Sequence, residues 1–133
     1  MKFDYIQENI EYVMKLIQQN LTSDLLASKF RQINQTNPMC GHCKHASQAL
    51  ILLMNTNRLQ LMKNATHVWV QDEDQIYDVT ADQFYLQGLT PCYNNAMLAC
   101  YSPTIKADLL TERVLRTHYE LAQGNGGEER DAL

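Results

Sequence analysis

Apolar residues recur at three-and-four spacing from Phe3 to about Gln19, through Ile6, Ile10, Val13, Met14 and Ile17, and at a spacing of two between His67 and Val79. The first period lays one stripe along a helix and the second fills one face of a strand, so the chain must combine both kinds of element. A second helix is predicted from Thr22 or Ser23, either of which can cap it, to Ile33, with Leu25, Leu26, Phe30 and Ile33 as its buried stripe before Asn34 and Pro38 end it. The polar segment from Asn34 to His42, broken by Pro38 and Gly41, sustains neither period and reads as a loop. A third helix opens at Cys43, turns Ala46, Ala49, Leu50, Leu53 and Met54 inward, and closes at Asn55-Thr56-Asn57. A last one covers Lys106 to about Ala122 on Leu109, Leu110, Val114, Leu115 and Leu121.

Between the third and last helices, Val68 and Val70 alternate with His67 and Trp69, and Ile76 and Asp78 with Tyr77 and Val79, which predicts a hairpin across Asp72-Glu73-Asp74. With Gln71 to Asp74 as its loop, Val70 pairs with Gln75, Trp69 with Ile76 and His67 with Asp78. His67, Trp69, Ile76 and Asp78 then share a face, and a slip of one residue would separate them. Thr80 caps a helical turn through Phe84, Gly88 and Pro91 punctuate a loop, and Met97–Tyr101 forms a third strand that serves the core. Tyr77 and Tyr85 read as packing residues with polar tips. Helices, then a small antiparallel sheet, then a helix make an α+β chain.

With 133 residues there is room for one core, so a single domain is expected over 1–123, with 124–133 as a disordered tail. A net charge of -4 and eleven scattered Lys and Arg lack the basic footprint of a nucleic-acid binder. No apolar run approaches the roughly 18 residues of a membrane span, and the first residues mix charge with apolar spacing unlike a secretory signal. A cytoplasmic location is therefore expected. The four cysteines read as free thiols rather than a disulfide framework, with Cys92 and Cys100 as small buried hydrophobes. The apolar first helix offers a surface for a homodimer.

Cys43 sits in the first turn of its helix, where unsatisfied backbone N–H groups and the positive end of the macrodipole suit a sulfur anion and could also hold an oxyanion. A thiol nucleophile needs a base, and the base needs a third group to orient it. His67, held on a strand beside Trp69, is the candidate base, and Asp78 the candidate that fixes its tautomer. Asn37, six positions before Cys43 in the polar loop, is the candidate side-chain donor to an oxyanion hole, with Gln35 as a weaker option. Each residue alone has an ordinary structural explanation. Their order along the chain and the hairpin register favour them as a set.

A second reading uses Cys40, Cys43, His45 and His67 as a small zinc site, because Cys-x2-Cys is ordinary ligand spacing, although Cys92 and Cys100, eight apart, supply no compact second pair. His42 and His45 are expected to face solvent or the cleft, and His118 to lie on the surface. A third reading is a non-catalytic binding or inhibitor module on the same fold.

Gly41-His-Cys43 ahead of a small-residue helix, His67-Val-Trp69, and above all Ile76-Tyr-Asp78-Val-Thr80-Ala-Asp82-Gln83-Phe84 resemble the papain-like and transglutaminase-like superfamily, and within it the small YunG-like proteins. The likeness runs from about Gly41 to Phe84. It departs from the pattern at Val68, where an aromatic is expected, and at Cys40, a second thiol. The resemblance implies a papain-like or transglutaminase-like core with Cys43 as nucleophile, His67 as base, Asp78 as orienting residue and Asn37 as a looser match to the upstream amide. It implies a cysteine hydrolase or acyl transferase (peptidase, amidase, deamidase or transamidase) acting on a protein, a peptide or a small amide without a cofactor.

Overall fold

The computed structural model describes residues 1–37, 39, 41–100 and 102–132, those from 125 onward by backbone alone. Along them run β1 (Phe3–Asp4), α1 (Gln7–Gln19), α2 (Ser28–Asn34), α3 (Cys43–Leu53), β2 (Met54–Asn55), β3 (Gln60–Lys63), β4 (Val68–Asp72), β5 (Gln75–Tyr77), α4 (Asp82–Tyr85), β6 (Met97–Leu98) and α5 (Ile105–Ala132). The class is α+β. One antiparallel sheet has the order β5-β4-β3-β6, and β1 pairs separately with β2, in parallel.

Helix α3 is the centre of the core. It packs against α1, α5 and β4, and its residues from His45 to Leu50, with Leu53, are buried. Onto it α1 brings Ile10, Val13, Leu16 and Ile17, α5 brings Leu110 and Val114, and the hairpin brings Val70, Tyr77 and Val79. Gln48 is fully buried, so its amide has to be satisfied inside. Its Nε2 donates to the Ser102 carbonyl, and its Oε1 accepts from the Thr104 N–H and hydroxyl, which fastens the start of α5 to α3.

Several elements differ from the sequence expectation. The residues before Gln7 join β2 instead of α1: Phe3 pairs with Met54 and is buried, while Ile6 is 52% exposed. The second helix is split into a 3-10 turn at Ser23–Leu25 and α2, because Leu26 and Ala27 turn extended so that Leu25 and Leu26 both reach the core; Ile33 is left exposed. Strand β3 was not expected, since Gln60–Lys63 shows no clean alternation. At the C-terminus, the backbone of 124–132, expected as a disordered tail, continues α5 as helix. Extending a helix adds a bond for each residue fixed once the packed turns have supplied the nucleus. Met97 and Leu98 pair with β3 but lie 58% and 65% exposed, and Cys92 and Cys100 are exposed, so this run does not serve the core as expected. Tyr101 lies outside the described residues, and Tyr85 is exposed.

The hairpin register is the difference that matters for the site. Val70 pairs with Tyr77, Gln71 with Ile76 and Asp72 with Gln75, closing on a turn at Glu73-Asp74 in which Glu73 takes φ 52. Relative to the expected pairing the strands slip by two residues, and an even slip leaves every side chain on its original face. His67, Trp69 and Asp78 therefore stay together, opposite the face that carries Val70 and Tyr77.

Gly41 precedes α3 at φ +87, and a Cβ built there would lie 2.8 Å from Cγ of Phe30. Left-handed backbone and lack of space act in the same direction, so Gly41→Ala should lower stability by about 1 kcal/mol or more, read as a reduced denaturant midpoint. Among the described residues no helix is long and apolar enough to cross a membrane.

Candidate active site

Cys43 is the first residue of α3, half-buried and free. The N-cap residue His42 makes no side-chain cap, and the helix's first backbone bond runs from the Ala46 N–H to the His42 carbonyl at 3.0 Å. The N–H groups of Cys43, Lys44 and His45 precede that bond and are by position the helix's orphan donors.

His67 ends the turn between β3 and β4, and Asn64 fixes it there. The Asn64 Oδ1 accepts the His67 N–H at 3.0 Å, and the Asn64 N–H donates to the His67 carbonyl at 3.1 Å. The ring is 3% exposed, stacked on Trp69 at 6.0 Å and met edge-on by Phe84 at 4.7 Å. Its Nε2 lies 2.7 Å from Oδ2 of Asp78. That carboxylate follows β5 directly and is itself anchored, since Oδ1 accepts the Thr80 N–H at 3.2 Å and Oδ2 also accepts the Tyr93 hydroxyl at 2.7 Å.

A carboxylate only accepts, so Nε2 carries the proton and Nδ1 is the nitrogen left for Cys43. Nδ1 is buried and makes no hydrogen bond of ordinary geometry within the described structure. The Cys43 thiol is nevertheless close enough to act on the ring. Burial pushes the His67 pKa down, but the hydrogen bond to Asp78 and the favourable interactions with Asp78 and Cys43 outweigh it and hold the imidazole at about 9.

Other candidates fall elsewhere. Asn37 is buried at 3%, but its amide N–H donates to the Gln83 carbonyl at 2.6 Å, tying the loop to α4. His42 and His45, expected at solvent or cleft, are buried at 0% and 5%, with Nδ1 of the first 2.6 Å from Nε2 of the second. They turn inward because α3 is buried on nearly every side. Of the four residues of the zinc reading, Cys43 and His67 meet, His45 pairs with His42, and Cys40 lies outside the described residues. Among the described residues no group of three or more His, Cys, Asp or Glu is arranged to hold a metal. His118 is half-buried, its Nδ1 2.8 Å from the Tyr12 hydroxyl. Asn64 and Tyr93 were missed. Asn64-Ala-Thr66 is legible as a turn, but Tyr93 reaches Asp78 through the loop after α4 and leaves no local signal.

The three buried imidazoles give stability a maximum in pH. Burial, with Lys106 adding and Asp24 opposing, takes His42 down to about 4; burial, His42 and Lys106 take His45 to about 3. In the unfolded chain both protonate near about 6.5, so their contribution is complete above that and is lost as the pH falls towards 4. His67 has the opposite sign: its contribution is complete below about 6.5 and is lost as the pH rises through 9. Urea midpoints should therefore peak near about pH 6.5, with His67→Gln flattening the alkaline side alone. A midpoint constant from pH 4 to 9 would contradict this electrostatic picture.

Compared with known proteins, the chain matches no family model, no curated protein and no solved structure.

Proposed function

We propose that this chain is a cysteine-dependent hydrolase or acyl transferase acting on an amide or thioester bond, with Cys43 as nucleophile, His67 as base and acid, and Asp78 as orienting residue. The core would then be of the papain-like and transglutaminase-like kind, with a pattern that resembles the YunG-like proteins. The observation that carries the reading is a buried imidazole whose Nε2 is fixed by Asp78 at 2.7 Å and whose other side is left to a cysteine at a helix start.

In this mechanism Nδ1 of His67 already holds the proton given up by Cys43 when the sulfur attacks the carbonyl carbon. The oxyanion is met by backbone N–H groups at the start of α3. The imidazolium then gives its proton to the leaving amine or thiolate as the C–N or C–S bond breaks, which leaves an S-acyl Cys43. Water, or an amine or thiol in a transferase, attacks that thioester, gives its proton to His67 and frees the sulfur. A cleft of about 450 Å³ lies beside the start of α3 with Phe30, Gly41, Lys44, Ile105 and Lys106 in its wall, and Cys43, His67 and Asp78 are not among its lining residues. The free state of Cys43, Cys92 and Cys100 suits a cytoplasmic setting.

Competitive labelling tests the proposal. With limiting iodoacetamide at pH 7 and peptide mapping, Cys43 should be alkylated before Cys92 and Cys100, although both are more exposed. Labelling of Cys43 no faster than Cys92 would leave a non-catalytic binding or inhibitor module.

A further inference from the structure

Tyr93 lies in a segment without regular structure between α4 and β6, yet its hydroxyl reaches the same oxygen of Asp78 that His67 uses, at the same 2.7 Å. The segment is held from below by Asn64, whose Nδ2 donates to the carbonyls on either side of Tyr93, Cys92 at 2.8 Å and Asn94 at 3.1 Å. The same Asn64 side chain holds the His67 backbone through its Oδ1. One amide thus fixes base and strap to each other. The tyrosine ring also packs edge-on against Trp69 at 5.0 Å, on which His67 stacks.

We propose that Tyr93 is a positioning residue for the triad: its hydroxyl locks the Asp78 carboxylate, so that the imidazole is held in one orientation towards Cys43. The proposal rests on the catalytic reading above. With Thr80 on one oxygen and His67 alone on the other, the carboxylate can still tilt and carry the imidazole with it; the Tyr93 hydroxyl on the oxygen that His67 uses removes that freedom. The phenol also shares the charge that Asp78 offers to His67, which moderates how strongly the imidazolium is held. The ionisable groups around His67 are Cys43 from α3, Asp78 beyond β5 and Tyr93 from the strap, and Tyr85 of α4 acts on Tyr93 in turn.

The test is Tyr93→Phe, which keeps the ring on Trp69 and removes only the hydroxyl. Two readouts are needed, and the first is independent of catalysis. In nitrogen-resolved NMR titration, the His67 ring should titrate at higher pH in Tyr93→Phe, because Asp78 then bonds to it undivided. In p-nitrophenyl acetate hydrolysis the descending limb of kcat/KM should move up with it, and kcat should fall about tenfold with KM changed less than about twofold. An unchanged His67 titration would overturn the role of Tyr93 even if Cys43 proves to be the nucleophile. A changed titration with Cys43 labelled no faster than Cys92 would instead uphold the hydrogen-bond network and sink the catalytic reading. Should Tyr93→Phe fail to fold, Asn64→Ser, which adds no charge beside His67 and is too short to donate to both strap carbonyls, is expected to shift the titration the same way.

Discussion

His67→Ala should reduce alkylation of Cys43 at pH 7 by about tenfold or more, to the rate of an ordinary exposed thiol such as Cys92, while leaving Cys92 and Cys100 unchanged. The imidazole holds a proton up to about pH 9, so at neutral pH it stands as a cation beside the sulfur, and its removal takes away the charge that favours the anion. Turnover of p-nitrophenyl acetate should fall further, by about 10²–10⁴-fold, because the group that shuttles the proton is lost with the charge. The pH profile of the unmodified protein supplies a second check. Steps that need the imidazolium as acid should decline as the pH rises through 9, and a profile still climbing at pH 10 would contradict the assignment. Melting curves of His67→Ala separate lost chemistry from lost fold.

Trp69→Ala should cost about 3–5 kcal/mol, the largest stability effect of any single substitution considered. The side chain is 0% exposed on the face of the hairpin opposite the main core. It is covered there by His67 and Tyr93, and its Nε1 is satisfied by Gln71 at 3.0 Å. Truncation leaves a cavity beneath the base and the strap together, so slower Cys43 labelling should accompany the loss of stability. Trp69→Phe retains most of the buried area and should lose much less. Equal urea midpoints for Trp69→Ala and the unmodified protein would mean that this second layer contributes nothing to the fold.

How much of the site was legible follows from distance along the chain. Cys43 at a helix start is visible because the apolar spacing of α3 begins just after it and the loop before it carries Gly41. His67 and Asp78 are eleven residues apart on adjacent strands, and alternation fixes their common face. The turn chemistry was misread, with four loop residues in place of two, but a two-residue slip preserves the face and so the contact survives. Asn37 is a candidate by its proximity in sequence, and its amide gives one hydrogen bond to the Gln83 carbonyl, 46 residues away. His42 and His45 were placed outside because the apolar pattern of α3 begins after them. The packing of α1 and α5 around that helix buries its polar residues as well.

The sequence by itself determined the α+β class, the main helices, the hairpin and the common face of His67 and Asp78, because hydrophobic period and strand alternation act over neighbours and need no knowledge of the rest of the chain. Only the tertiary structure decided that α3 is buried on nearly every side, that the imidazoles of His42 and His45 turn inward, and that Tyr93, in a segment held by Asn64, reaches Asp78. Those contacts join residues far apart in sequence, and their free energy comes from burial and hydrogen bonding that exist only once the elements have packed.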